Sequence, residues 1–158
     1  RYLIKKKINN FYKIKKSVKK EIQNELKFGL HKFSTYKKFS MRVKESKKKL
    51  LEIFLKAKNK KLKVIGYGAT AKSCTVLNYC QVGGNIIDYF YDTTSYKIGR
   101  YLPGSKILIK KYKKLSKDRV DIAFLGAWNF KEEIFKKEKD FIKKGGKFIT
   151  HIPIPKII

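Results

Sequence analysis

Cysteine, arginine, proline and long apolar runs are all scarce in this chain. Its two cysteines, Cys74 and Cys80, stand six residues apart and so fall on different faces of a helix. There is no CxxC pair and no Cys/His cluster, which removes the basis for a zinc site or a disulfide framework. Two buried thiols in a reducing, cytoplasmic setting are the expectation. No apolar run approaches the ~18 residues that cross a bilayer, and residues 1–20 hold no signal-peptide core, so no membrane role is expected. Only four of the 41 basic residues are arginine: Arg1, Arg42, Arg100 and Arg119. Nucleic-acid readers favour the bidentate fork of arginine. The formal charge of +29 therefore reflects general lysine enrichment, and a nucleic-acid partner is not expected.

What is present suffices for a folded domain. The chain has 158 residues, 42% of them hydrophobic and 14% aromatic, enough to bury one core. The charge is uneven, with 23 basic and 4 acidic groups in residues 1–63 against 18 and 8 in the remainder. The sequence opens on Arg1 and its one methionine is Met41, so a piece of a longer protein is expected.

Three zones follow in order. Residues 1–30 are a lysine-rich arm or linker, with an apolar start at Tyr2, Leu3 and Ile4 that suits an edge strand, and a marginal helix from Ser17. Residues 31–158 are expected to form the domain proper, led by a helix over 33–58. There Phe33, Tyr36, Phe39, Val43, Leu50, Phe54 and Ala57 recur at spacings of three, four or seven and make one apolar stripe. Ser34 is the expected N-cap and Asn59 the end. Five short β-rich runs come next, at 62–67, 86–91, 106–109, 121–126 and 147–152. Helical stretches over 70–82 and 129–144 separate some of them, the second stopped by Gly145-Gly146. This alternation predicts an α/β, Rossmann-like fold with a parallel sheet in the order 3-2-1-4-5 and helices on both faces.

The sharpest local signal is Gly66-Tyr67-Gly68-Ala69-Thr70-Ala71, directly after a strand and opening a helix. Glycines there let the backbone turn tightly and approach a diphosphate whose charge sits on the helix N-terminus. Asp92 ends the second strand, where a carboxylate can accept hydrogen bonds from ribose hydroxyls. Alone, the pattern fits a dinucleotide, a nucleotide diphosphate, or merely a tight strand–helix turn. Lys72 lies in the first helical turn, where a cation opposes the helix dipole. A phosphate partner is one explanation for it; ordinary lysine enrichment is the other. Trp128 falls at the C-terminal end of the fourth strand, where open α/β sheets place ligands, and core packing would also account for it. Asn129 suits a helix cap. His31 and His151 lack neighbours with ligand spacing, and Tyr89, Phe90 and Tyr91 are expected as core strand residues.

The longer string GYGATAKSCTVLNYC (66–80), followed by IIDYFYDTTSYKIGRYLPGSKILI (86–109), resembles the C-terminal domain of bacterial sugar C-methyltransferases acting on TDP-keto-deoxysugars. Lys97, Gly99, Pro103 and Gly104 match that family's loop, and the Trp128-Asn129 pair and the GGKFITHIPIP ending match further blocks. The likeness covers about residues 25–158. Ser73 departs from a usual glycine, and Cys74 from a frequent asparagine. The resemblance implies a nucleotide-sugar-binding domain, with Gly66, Tyr67, Gly68, Ala69, Thr70, Ala71, Lys72, Asn78, Asp92, Lys97, Trp128 and Asn129 as its substrate-binding residues. It also implies an upstream S-adenosylmethionine-binding domain and an upstream zinc-binding lobe, with the catalytic acid/base groups there. No catalytic residue, metal or cofactor is then expected in this segment itself. The competing reading is the NAD(P)-binding Rossmann domain of an oxidoreductase, which the lack of a Ser/Tyr/Lys or His/Asp reducing-site arrangement disfavours.

Overall fold

The computed structural model describes residues 4–8, 11 and 13–158. Tyr2 and Leu3 of the expected edge strand lie outside the described residues. The chain divides into two compact units, residues 1–42 and 43–158. The first carries helix α1 (Lys16–Phe28), with no buried residue, closed by Gly29 in the left-handed conformation. Helix α2 (Phe33–Asn59) begins one residue before the expected cap, so Ser34 is already helical. The start is held instead by the Thr35 and Tyr36 hydroxyls, which donate to the carbonyls of Gly29 and Leu30 at 2.8 and 2.7 Å.

The second unit contains β1 (Val64–Tyr67), α3 (Ala71–Cys80), β2 (Phe90–Asp92), β3 (Ile109–Lys111), β4 (Ile122–Leu125), α4 (Lys131–Lys137), α5 (Lys139–Lys143), β5 (Lys147–Thr150) and β6 (Lys156–Ile157). The strands form one sheet in the order β3-β2-β1-β4-β5-β6. The first five are parallel and stand in the order read from sequence. The sixth pairs antiparallel with β5; two residues are too few to leave a periodic signal.

Strand periodicity sorts the core onto two faces. On one, Val64, Phe90, Ile122, Phe124 and Ile149 pack with Leu50, Phe54 and Ala57 of α2 and Leu77 and Cys80 of α3. On the other, Ile65, Tyr67, Tyr91, Ala123, Leu125 and Phe148 pack with Ile134 and Phe141. Phe54 is fully buried against Phe124, ring centroids 5.7 Å apart.

Three local expectations need correction. β2 begins at Phe90 rather than 86, because the amides of Ile86 and Ile87 fold back onto the Gly83 carbonyl. β3 is displaced to 109–111, following the left-handed residue Lys106. The expected helix 129–144 is a 3-10 turn over Trp128–Phe130 followed by α4 and α5, interrupted at Glu138, whose side chain turns inward. Gly145 and Gly146 do end it, their amides bonding back to Ile142 and Phe141.

Candidate functional site

The site is built where the turns after β1 and β4 meet. Gly66 is glycine for packing: a Cβ there would run into the Phe90 ring. Gly68 has φ +84°, and a Cβ on it would sit 2.6 Å from Cβ of Ala127. Gly126 faces it, and a Cβ there would strike the Gly68 carbonyl and Ser73 Oγ. Both strand-end turns must therefore be bare of side chains to lie this close. Thr70 then starts α3 as N-cap. Its Oγ1 accepts from the Ser73 amide at 3.1 Å and donates to the Gly126 carbonyl at 3.2 Å. Ser73, fully buried, completes a capping box and donates to the Gly68 carbonyl at 3.0 Å. Ser73 thus ties the turn together from inside.

Asp92 and Lys97 clamp the same turn. Asp92 Oδ2 accepts from the Ala69 amide at 2.8 Å, and Oδ1 accepts from the Thr94 amide at 2.8 Å. Lys97 Nζ donates to the Ala69 carbonyl at 2.9 Å and lies 3.6 Å from Asp92 Oδ2. The peptide groups flanking Ala69 are thus held by an acid on the N–H side and a base on the C=O side. Burial works to raise the Asp92 carboxyl, but the bonds from Thr94 and Ala69 and the nearby Lys97 ammonium outweigh it and hold it below the ordinary value.

Across the crevice, Lys72 Nζ donates to Asn129 Oδ1 at 3.2 Å and stands 5.1 Å from the centre of the Trp128 ring. Asn129 does not cap a helix, because it lies inside the 3-10 turn and its side chain turns back to Lys72. Trp128 is half-buried and packs against the second core face. Beside this group an open depression of about 320 Å³ is lined by Trp128, Asn129, Phe130, Lys131, Glu132 and Glu133. The amides of Gly68, Ala69, Thr70 and Ser73 all have acceptors within the chain. Those of Ala71 and Lys72, in the first turn of α3, have none among the described residues.

Two expected site residues lie elsewhere. Tyr67 points into the second core face and donates to Glu138 Oε1 at 3.1 Å. Burial and the Glu138 charge push its hydroxyl above the ordinary value, so it is a core group. Asn78 donates to the Pro103 carbonyl at 3.1 Å and packs on Gly104, which holds the loop before β3. Cys74 is half-buried rather than buried, whereas Cys80 is buried as expected. Among the described residues no His/Cys/Asp/Glu group is arranged to hold a metal, and no helix is long and apolar enough to cross a membrane.

Sequence reasoning missed a second polar system. Glu138, 1% exposed, accepts from Tyr67, from Tyr112 at 2.7 Å and from the Leu115 amide at 3.0 Å. Asp118 accepts from the Tyr89 and Tyr91 hydroxyls. Its burial is opposed by those bonds and by Lys63, which hold its carboxyl at about 2. Tyrosines at 89 and 91 alternate in step with the strand, and that pattern alone hinted at partners for their hydroxyls. His151, 4% exposed, is stacked on Phe124, its Nδ1 has no hydrogen-bond partner among the described residues, and burial lowers its pKa to about 4.

Comparison with known proteins places this geometry in context. A family model described as the C-methyltransferase C-terminal domain matches residues 1–153. Among curated proteins, C-methyltransferase NovU of Streptomyces niveus is 32% identical over 147 residues. The match covers 93% of this chain and 35% of that protein, so the chain spans about a third of the relative's length.

Proposed function

The chain belongs to the family of C-methyltransferase C-terminal domains, and from that membership we propose that it holds a nucleotide-linked keto-deoxysugar, of the TDP type, for methylation. The methyl donor, S-adenosylmethionine, is assigned to the part of the enzyme that relatives carry beyond this length, together with a zinc-binding lobe and the acid/base groups. In this reading the segment binds and does not catalyse. The unpaired cysteines suit a cytoplasmic enzyme.

One observation carries the proposal: the Lys72–Asn129–Trp128 group stands beside the unclaimed amides of Ala71 and Lys72 at the carboxyl end of the sheet. A phosphate set there would meet a cation, a side-chain amide and the positive end of α3. The half-buried Trp128 ring supplies an apolar wall nearby. The exposed apolar side chains of α1, Val18, Ile22 and Leu26 at four-residue steps, support a partner surface in the remainder of the enzyme.

Titrating TDP and following Trp128 fluorescence tests the reading. Losing one charge-assisted contact in Lys72→Ala should weaken binding by about 1.5–3 kcal/mol, roughly ten- to a hundredfold. Lys20→Ala, an exposed arm variant, should change little. If both variants weaken TDP equally, binding reflects diffuse positive charge and the assigned site is wrong. Methyl transfer to a TDP-keto-sugar by residues 1–158 alone would refute the non-catalytic role.

A further inference from the structure

In a dinucleotide-binding Rossmann turn, two things must be free. The glycine-loop amides have to face the diphosphate, and the acid at the end of the second strand has to face the ribose. Here the acid and the inner amides of the turn are already engaged. Asp92, 9% exposed, has both oxygens engaged by backbone amides, and one of those amides is that of Ala69 in the glycine turn itself. The amides of Gly68, Thr70 and Ser73 are spent on Tyr91, Gly68 and Thr70, which leaves only those of Ala71 and Lys72 at the outer edge of the turn. Lys97, which could otherwise neutralise a ligand, is directed at the Ala69 carbonyl and at Asp92.

We propose that Asp92 is a built-in anion that fills the seat of a dinucleotide's diphosphate, so that it acts as a specificity residue rejecting NAD-type cofactors. The carboxylate does from inside what a phosphate does from outside in other members of this architecture. It takes an amide of the turn and, paired with Lys97, leaves neither that amide nor that cation for an incoming phosphate. An incoming phosphate is confined to the next step out, at the Ala71 and Lys72 amides. This second point rests on the binding site proposed above, whereas the rejection of dinucleotides does not. The ribose role that the sequence suggested for Asp92 gives way to a role in selectivity.

The test is calorimetric titration of wild type, Asp92→Asn and Asp92→Ala with NADH, inorganic pyrophosphate and TDP. Wild type should show no saturable NADH binding up to about 1 mM, the range where affinity corresponds to only about 4 kcal/mol. Asp92→Ala should gain at least roughly tenfold in pyrophosphate affinity, since the Ala69 and Thr94 amides then lose their acceptor and Lys97 its carboxylate. Micromolar NADH binding by wild type that weakens in Asp92→Asn makes the carboxylate a ribose acceptor and overturns the proposal. So does an unchanged pyrophosphate affinity in Asp92→Ala. If Asp92→Ala fails to fold, amide NMR of wild type with pyrophosphate decides. The Ala71 and Lys72 resonances should move while those of Ala69 and Thr94 stay still. Movement at Ala69 overturns the proposal; no response anywhere in the turn upholds the closed inner seat and sinks the outer binding site alone. Refusal of TDP along with NADH sinks the binding site proposed above and leaves the rejection standing; NADH binding sinks the rejection alone.

Discussion

Replacing Gly68 with alanine separates a glycine that serves packing from one that serves a ligand. The added methyl meets two penalties. At φ +84° a non-glycine residue is disfavoured by about 1–2 kcal/mol. The methyl would also lie 2.6 Å from Ala127 Cβ, well inside the ~3.5–4.0 Å at which carbon atoms attract. Neither atom is the end of a flexible side chain, so relief requires the two turns to part. Overpacking of that kind costs about 1–3 kcal/mol. Together the loss is about 2–5 kcal/mol out of a typical total of about 5–15. In urea, at about 1–3 kcal/mol per molar, the midpoint should fall by on the order of 1–2 M. Adding Ala127→Gly removes the overlap and not the backbone strain, so a double-mutant cycle should return a favourable coupling of about 1–3 kcal/mol. A Gly68→Ala protein as stable as wild type but unable to bind TDP would refute the packing argument. A coupling of zero would refute its steric half.

Three further outcomes follow from the buried polar groups. Glu138→Ala strands the hydroxyls of Tyr67 and Tyr112 and the Leu115 amide, and should lower stability by about 3–5 kcal/mol in thermal unfolding, with Glu138→Gln milder. His151 has its pKa depressed to about 4 by burial, so the stability tied to its neutral form is complete above about pH 6.5 and is lost as pH falls from there towards 4, by up to about 3 kcal/mol. His151→Phe keeps the ring against Phe124 and should flatten the urea midpoint across that window; an unchanged slope refutes the assignment. Asp118, held at about 2, has a dependence of the same sign in a lower window. Its contribution is present above its ordinary value near 4 and is lost between about pH 4 and 2, so Asp118→Asn should remove acid sensitivity only in that lower range.

The layered fold was legible because burial imposes periods. The stripe Leu50, Phe54, Ala57 and the runs Val64–Tyr67 and Ile122–Leu125 each carry the repeat of their element, and the order of the parallel strands follows from crossover geometry. Boundaries were less legible where hydrogen bonding overrode composition. Ile86 and Ile87 have strand-forming side chains, yet their amides close a turn on Gly83. Glu138 breaks a helix of otherwise good formers because three donors wait for it inside. In the site, Lys72, Trp128 and Asn129 meet as their positions at two strand ends implied, while Tyr67 and Asn78 are consumed by the core and by a loop. Local sequence carries no record of which groups three-dimensional neighbours have already claimed.

That limit decides how the lysine at the helix start is to be weighed. Its conflict with the α3 dipole is worth only about 0.3–1 kcal/mol, and the Trp128 ring can return about 0.5–1. With Asn129 Oδ1 as a further partner, Lys72 is adequately accommodated without any ligand, so its charge alone does not call for a phosphate. The unclaimed Ala71 and Lys72 amides are common to all helix starts, and they alone do not call for one either. What favours an anion here is the combination at a sheet's carboxyl end, with Asp92 closing the inner seat and leaving the outer one open. Polar accounting, donor by donor, therefore discriminates where the glycine fingerprint cannot. The fingerprint answers to backbone crowding at Phe90 and Ala127, and crowding is the same whether a ligand comes or not.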